Sequence, residues 1–250
     1  MDINELREPL KHMKLTTMSE HLEEVSQSAG KESWSYERYL FELLSLEQQN
    51  RWERKLKLLL RESKLPLGKT FSTLDRSRFS RALNQQIEAL VEGSFIDRCE
   101  NVLAFGNPGS GKTHTLCAIG HEMVLQGKKV LFKDCEMLVQ ELLSAKRRYE
   151  LPKLLKKLGK FKALIIDDIG YVRQNREEME VLFTLLADRY EKNSTLITSN
   201  LQFSEWEKIF KDPMTTAAAI DRLVHHSMIL ELNLPSYRLE QAQKEKHNEK

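Results

Sequence analysis

The spacing of apolar residues changes character near residue 65 of this 250-residue chain. Before that point apolar positions recur at helical intervals. From residue 101 onward, short unbroken apolar runs alternate with helical stretches. Thr17-Met18-Ser19-Glu20 has the form of a capping box and predicts a helix to about Ser28, interrupted at Gly30. A longer helix follows from about Ser35 to Arg61. Tyr36, Tyr39, Leu40, Leu43 and Leu44 fall on helical spacing, continued by Trp52, Leu56, Leu59 and Leu60, and read most simply as a helix-packing face. Pro66 and Gly68 end this segment. The expected organisation is an all-helical region over residues 1–65 and a second domain over 66–250, with 66–100 as a connecting segment. Within that connector, a helix from about Asp75 to Glu92 carries Leu83, Ile87, Leu90 and Val91 on one side, with Gly93 as its cap.

The second region alternates strand and helix. The strand candidates are 101–105, 128–132, 163–166, 195–198 and 228–230. The helix candidates between them are 113–126, 135–149, a short one from Pro152, 177–191 and 217–225. Ala163-Leu164-Ile165-Ile166 is apolar without alternation, as a strand buried on both faces must be. The expected fold is therefore α/β: a five-stranded parallel sheet with helices on both faces, preceded by the small helical region. The polar tail from Gln241 is expected to fray.

One stretch carries chemistry by itself. Gly106-Asn107-Pro108-Gly109-Ser110-Gly111-Lys112-Thr113 reads G-x-x-x-x-G-K-T and sits between the first strand and the following helix. Glycines let such a loop aim successive N–H groups at phosphate oxygens, above the positive end of a helix. Lys112 would reach the β- and γ-phosphates of a nucleoside triphosphate, and the Thr113 hydroxyl would bind Mg²⁺. The second stretch, Leu164-Ile165-Ile166-Asp167-Asp168, is an apolar strand ending in two acids, the Walker B pattern. Asp167 is the candidate Mg²⁺ ligand through water, and Asp168 the candidate for positioning or deprotonating an attacking water. Asn200, closing Thr198-Ser199-Asn200 at the next strand end, is placed to orient that water or touch the γ-phosphate. Arg222 of Asp221-Arg222 is the candidate arginine that completes a neighbouring subunit's site, its alternative being a surface Asp–Arg pair. Adjacent His225 and His226 point apart on a helix and read as packing or solvent residues.

Net charge is only +2, but it is uneven. Arg51 to Arg81 holds ten basic and three acidic residues, and Lys146 to Lys162 holds eight basic residues and one acid, Glu150. Either patch fits a nucleic-acid footprint or merely solvated helix faces. As DNA contacts, Lys146, Arg147 and Arg148 come first, then Arg51, Arg54 and Lys55. No apolar run approaches the roughly 20 residues that cross a bilayer, and the N-terminus lacks the form of a secretion signal, so the expectation is a cytoplasmic protein. Three cysteines without a C-x-x-C pair point to packed thiols rather than disulfides or zinc.

Together these stretches resemble the AAA+ ATPases, and within them the DnaC/IstB branch, with IstB-like transposition helpers as the nearest pattern. The resemblance rests on Gly106 to Thr113 followed by His114, and on Leu164 to Gly170. It also rests on Asp188-Arg189-Tyr190-Glu191 leading into Ser194 to Asn200, and on Asp212-Pro213 followed by Ala219 to His225. It implies ATP hydrolysis at junctions of a homo-oligomer assembled on DNA, duplex and not sequence-specific, with handover to a transposase. The alternative within the branch is a helicase loader. A small-molecule phosphotransferase and a non-hydrolysing DNA-coating scaffold are the rivals from other classes. Asp168 stands where many AAA+ proteins have Glu, and its shorter arm suits a timer better than a motor. Ser236-Tyr237-Arg238-Leu239 resembles a motif of the branch in which Arg238 acts as a second sensor. Arg189 either faces a subunit or DNA, or is a surface charge.

Overall fold

A buried carboxylate organises the N-terminal helices. The computed structural model describes residues 3–169, 176–201, 205–206, 213–237 and 240. Gly170, Asp212, Arg238, Leu239 and the tail from Gln241 lie outside the described residues. The chain divides into two compact units, Met1–Leu58 and Leu59–Lys250. The first contains α1 (Ile3–His12), α2 (Thr16–Glu32) and most of α3 (Tyr36–Ser63). Glu47 of α3 is 4% exposed, and its Oε2 accepts the N–H groups of Thr17 (2.8 Å) and Met18 (3.1 Å) at the start of α2. The capping box is therefore not used: Leu15 occupies the N-cap position without a side-chain bond, and the orphan donors are met from another helix. Gly30 does not interrupt α2 either. The helix runs on to Glu32 and stops at Ser33, which turns left-handed (φ 52°) and returns its N–H to Ala29.

Met18, Leu22 and Val25 of α2 and Leu43 of α3 form the small core of this unit. The face predicted to pack along α3 behaves otherwise. Leu43 and Leu59 are buried and Tyr39 packs on the small core, but Tyr36, Leu40, Leu44 and Trp52 are exposed, so helical spacing there reports burial only in part. Burial pushes the Glu47 carboxyl up, but the Arg51 guanidinium and the amides of Met18 and Thr17 outweigh it and hold it below the usual range. A depressed carboxyl stabilises the fold above its unfolded value and loses that contribution as pH falls through the folded one. Acid titration of the first unit, followed by circular dichroism, should show helix loss beginning below about pH 4.5. Glu47→Ala should destabilise α2 by about 1–3 kcal/mol at neutral pH and flatten that acid transition.

The second unit is the expected α/β fold. Its strands are β1 (Asn101–Gly106), β2 (Val130–Asp134), β3 (Ala163–Asp167), β4 (Ser194–Ser199) and β5 (Ser227–Leu232). They pair in parallel in the order β2-β3-β4-β1-β5. Its helices are α4 (Arg81–Val91), α5 (Ser94–Asp97), α6 (Lys112–Leu125), α7 (Cys135–Arg147), α8 (Leu151–Leu158), α9 (Arg176–Arg189) and α10 (Pro213–Val224). Alternation along each strand splits the core in two. Leu103, Phe105, Leu164, Ile166 and Ile197 face α7, α8, α9 and α10. Val102, Ala104, Ala163, Ile165 and Leu196 face the end of α3 and α4, α5 and α6. The connector helix starts later than the sequence pattern implies. Asp75 caps a 3-10 turn over Arg76–Arg78, Phe79 is extended, and Ser80 accepts the Leu83 N–H to begin α4.

Arg189 is neither a surface charge nor an interface group. It is 1% exposed, and its guanidinium donates to the carbonyls of Leu158, Phe161 and Ser194 and to the Thr195 hydroxyl, tying α8, α9 and β4 together. Burial pushes its pKa down to about 10, which leaves it charged at neutral pH.

Candidate nucleotide site

Because the strands are parallel, β1, β3 and β4 all end on one edge of the sheet. There β1 passes through the glycine loop into α6, which begins at Lys112. The backbone demands glycine at two points. Gly106 has φ 147°, and a Cβ there would collide with the Leu232 carbonyl of β5. Gly109 has φ 79°, and a Cβ there would run into Ser236. Lys112 is 7% exposed, and its ammonium donates to the carbonyls of Gly106 (2.8 Å) and Asn107 (2.9 Å). A cation is thus fixed inside the loop, next to the first N–H groups of α6, which have no partner within the helix. Ser110 Oγ is buried there without a hydrogen-bond partner. Such an orphan inside a ring of donors and positive charge fits a bound polyphosphate.

The two acids sit at the end of the neighbouring strands. The Thr198 hydroxyl donates to Asp167 Oδ1 (2.6 Å) and accepts the Asp168 N–H (2.8 Å), while the Ile169 N–H reaches the Thr198 carbonyl (3.1 Å). This staple holds Asp168 at a left-handed φ of 67°. Asp167 lies within electrostatic range of α6: burial first, and the Asp167 charge with it, push the Cys117 thiol up to about 12. Phe105 pairs with Ser199, so Gly106 and Asn200 each stand one residue past that pair. Asn200 Oδ1 is buried and without a partner, a second orphan beside the loop. Thr113 and Asp167 carry hard oxygens of the kind that would suit Mg²⁺.

The structure thus brings Gly106 to Thr113, Asp167, Asp168 and Asn200 to one edge. His114 is tied to the connector, its Nε2 at 3.0 Å from the Thr70 carbonyl and 3.1 Å from Thr73 Oγ1. Burial lowers its pKa, so it sits neutral as an anchor for the connector. Arg222 is not brought to this edge. Its carbonyl accepts from the Asn101 side chain (3.4 Å) at the start of β1, about 16 Å of strand from the loop. Its guanidinium stacks over Phe183 at 4.8 Å. Arg222 therefore cannot complete the site of its own chain.

Residues of the connector and of the C-terminal segment close the site. Lys69, Leu74, Arg78, Phe79 and Tyr237 line a pocket with Gly109 to His114. The Tyr237 N–H donates to the Gly109 carbonyl (3.0 Å), and Arg78 donates to the Pro235 carbonyl (3.0 Å) and lies over the Tyr237 ring. Two apolar side chains and a tyrosine beside the phosphate loop suit a nucleotide base.

Residues 8–245 match the family model described as IstB-like ATP binding protein. The chain belongs to this family. It is 38% identical over 240 residues to an insertion-sequence ATP-binding protein of Sinorhizobium fredii, covering 96% of this chain and 80% of the relative. It is 36% identical to the ATP-binding protein of insertion sequence IS21 from Pseudomonas aeruginosa, covering 97% and 91%. Among solved structures, the DnaC helicase loader superposes with a TM-score of 0.56 at 18% identity, covering 66% of this chain and 97% of that one. DnaI gives 0.55 at 21%, covering 69% and 94%. These neighbours identify the AAA+ fold of the IstB-like chain. Among the described residues no helix is long and apolar enough to cross a membrane.

The staple at Thr198 is a feature that sequence reading passed over in favour of Asn200. Thr198→Val should leave nucleotide affinity within about threefold and lower ATP turnover by roughly 10–100-fold, while Thr198→Ser stays near wild type. Steady-state turnover of the two variants checks it: equal rates would reduce Thr198 to a packing residue.

Proposed function

We propose that this IstB-like protein hydrolyses ATP at junctions between identical subunits assembled on duplex DNA, and that the assembly assists a transposase in the cytoplasm. The observation that carries hydrolysis, beyond binding, is the convergence of Lys112, Asp167, Asp168 and Asn200 on one sheet edge. Lys112 and the loop amides hold the phosphates. Thr113 and Asp167 would hold Mg²⁺, which supplies charge neutralisation between phosphate oxygens. Asp168 accepts the proton of the attacking water, and Asn200 orients that water. Arg222, remote from its own loop, is supplied to the neighbour. The insertion-sequence names of relatives at 36–38% identity support a transposase as partner over a helicase.

Side-chain pairing shifts the proposed DNA contacts. Lys146 pairs with Glu180 (2.9 Å) and Arg147 with Glu177 (3.9 Å). Arg51 is tied to Glu47 and the Lys14 carbonyl, Arg54 to Asn50 and Thr17, and Lys55 lies over Trp52. Arg148 instead joins Lys156, Lys157 and Lys160 around one surface depression of α7 and α8, where Lys153 pairs with Glu150 (3.9 Å). Four phosphate contacts there would weaken binding by roughly 150-fold between 50 and 200 mM salt. Lys156→Ala/Lys157→Ala should reduce the salt slope by about 1.8 in an anisotropy titration. An unchanged slope removes α8 from the interface. The reading as a whole is tested by ATP turnover with and without duplex DNA, with oligomer size measured in parallel. DNA-stimulated turnover by an ATP-dependent oligomer supports it; turnover by a monomer indifferent to DNA refutes it.

A further inference from the structure

We propose that Glu191, His225 and His226 form a site for a divalent transition-metal ion, of which Zn²⁺ is the probe, on the sheet edge opposite the phosphate loop. The ligand atoms of these three exposed side chains all lie within 4.8 Å of one another. Adjacent histidines diverge on a helix, but these two lie in the turn between α10 and β5, past the last helical residue Val224. There the rings meet edge to face, with centroids 4.2 Å apart and planes at 68°.

The backbone under the cluster is well anchored. The His225 N–H bonds the Asp221 carbonyl (3.0 Å), and the His226 carbonyl accepts the Asn101 N–H (2.7 Å) at the start of β1. Glu191 comes from a different turn, between α9 and β4, in the left-handed region at φ 56°. The cluster therefore joins two turns that are far apart in sequence. Tyr190 adds an outer partner: its hydroxyl lies 3.4 Å from His225 Nδ1. A hydrogen bond at one ring nitrogen selects the tautomer and presents Nε2 to a metal, the arrangement commonly found around ligating histidines.

Two imidazoles and one carboxylate, with an open side for water, suit tetrahedral Zn²⁺ and the neighbouring ions Co²⁺, Ni²⁺ and Cu²⁺. A hard ion such as Mg²⁺ prefers an all-oxygen set. Ligand atoms around tetrahedral Zn²⁺ stand about 3.3 Å apart, so the side chains need to close by roughly 1.5 Å, within reach of exposed rotamers. An ion there would clip the α9–β4 turn to the end of α10, three residues beyond Arg222.

The test uses the full chain without a histidine tag, stripped by chelator and free of nucleotide. Co²⁺ is titrated by its visible absorption and then displaced by Zn²⁺. One ion per chain is expected, with tetrahedral-type bands, at least tenfold weaker binding in Glu191→Gln, and no stoichiometric binding in His225→Ala/His226→Ala. Zn²⁺ should raise the melting temperature of the wild type and not that of the double variant, whose circular dichroism confirms folding. Absence of binding by the wild type up to about 100 μM metal overturns the site, because binding weaker than that adds almost nothing to stability. Binding unchanged in the double variant places the ion elsewhere and also overturns it.

Discussion

Lys112→Ala is expected to weaken ATP binding by at least about 100-fold, or roughly 2.7 kcal/mol, and to abolish turnover. The lysine does two things in this structure. It holds a positive charge inside the loop, where phosphates would bind, and it ties the loop to itself through the Gly106 and Asn107 carbonyls. Alanine removes both, although the Asn107 carbonyl keeps the Ser110 N–H (3.2 Å). Lys112→Arg separates the roles: it keeps the charge, but its planar fork does not reproduce a compact ammonium in a closed loop. Calorimetric titration with a slowly hydrolysed ATP analogue measures the loss, and sedimentation with ATP reports assembly. Wild-type affinity in Lys112→Ala would remove the loop from nucleotide binding.

Arg222→Ala is expected to leave ATP affinity within about threefold and to lower turnover by about 10³-fold, the scale for an arginine acting on transferred phosphoryl charge. The separation along β1 permits a sharper test. If Arg222 serves the neighbouring subunit, Lys112→Ala and Arg222→Ala chains fail alone for different reasons. Mixed, they form junctions with an intact loop on one side and an intact arginine on the other. The mixture should hydrolyse ATP at a rate above the sum of the two separately. No recovery on mixing, with assembly verified, would return Arg222 to its visible role of stacking on Phe183.

The phosphate loop and the acid pair are local in sequence. A tight anion cradle needs small residues at fixed spacing, and a fully buried parallel strand needs an unbroken apolar run before its acids. Gly106 to Thr113 and Leu164 to Asp167 therefore specified their own local form, and strand–helix alternation specified the parallel sheet between them, whereas the turn at Asp168 is held by Thr198. What depended on distant partners was out of reach. The start of α2 rests on Glu47, thirty residues away, so the capping box was a local solution the fold did not need. Arg189 reads as a helix-end charge until α8 and β4 close over it. Leu74, Phe79 and Tyr237 join one pocket only because the connector and the C-terminal segment meet over the loop. Lys146 and Arg147 count as basic in the sequence, but their carboxylate partners come from α9. Short-range backbone geometry was determined by the sequence alone. Which charges are paired, which buried polar atoms lack partners beside the loop, and that Arg222 lies away from that loop were decided by tertiary structure, because each depends on chain segments that only folding brings together.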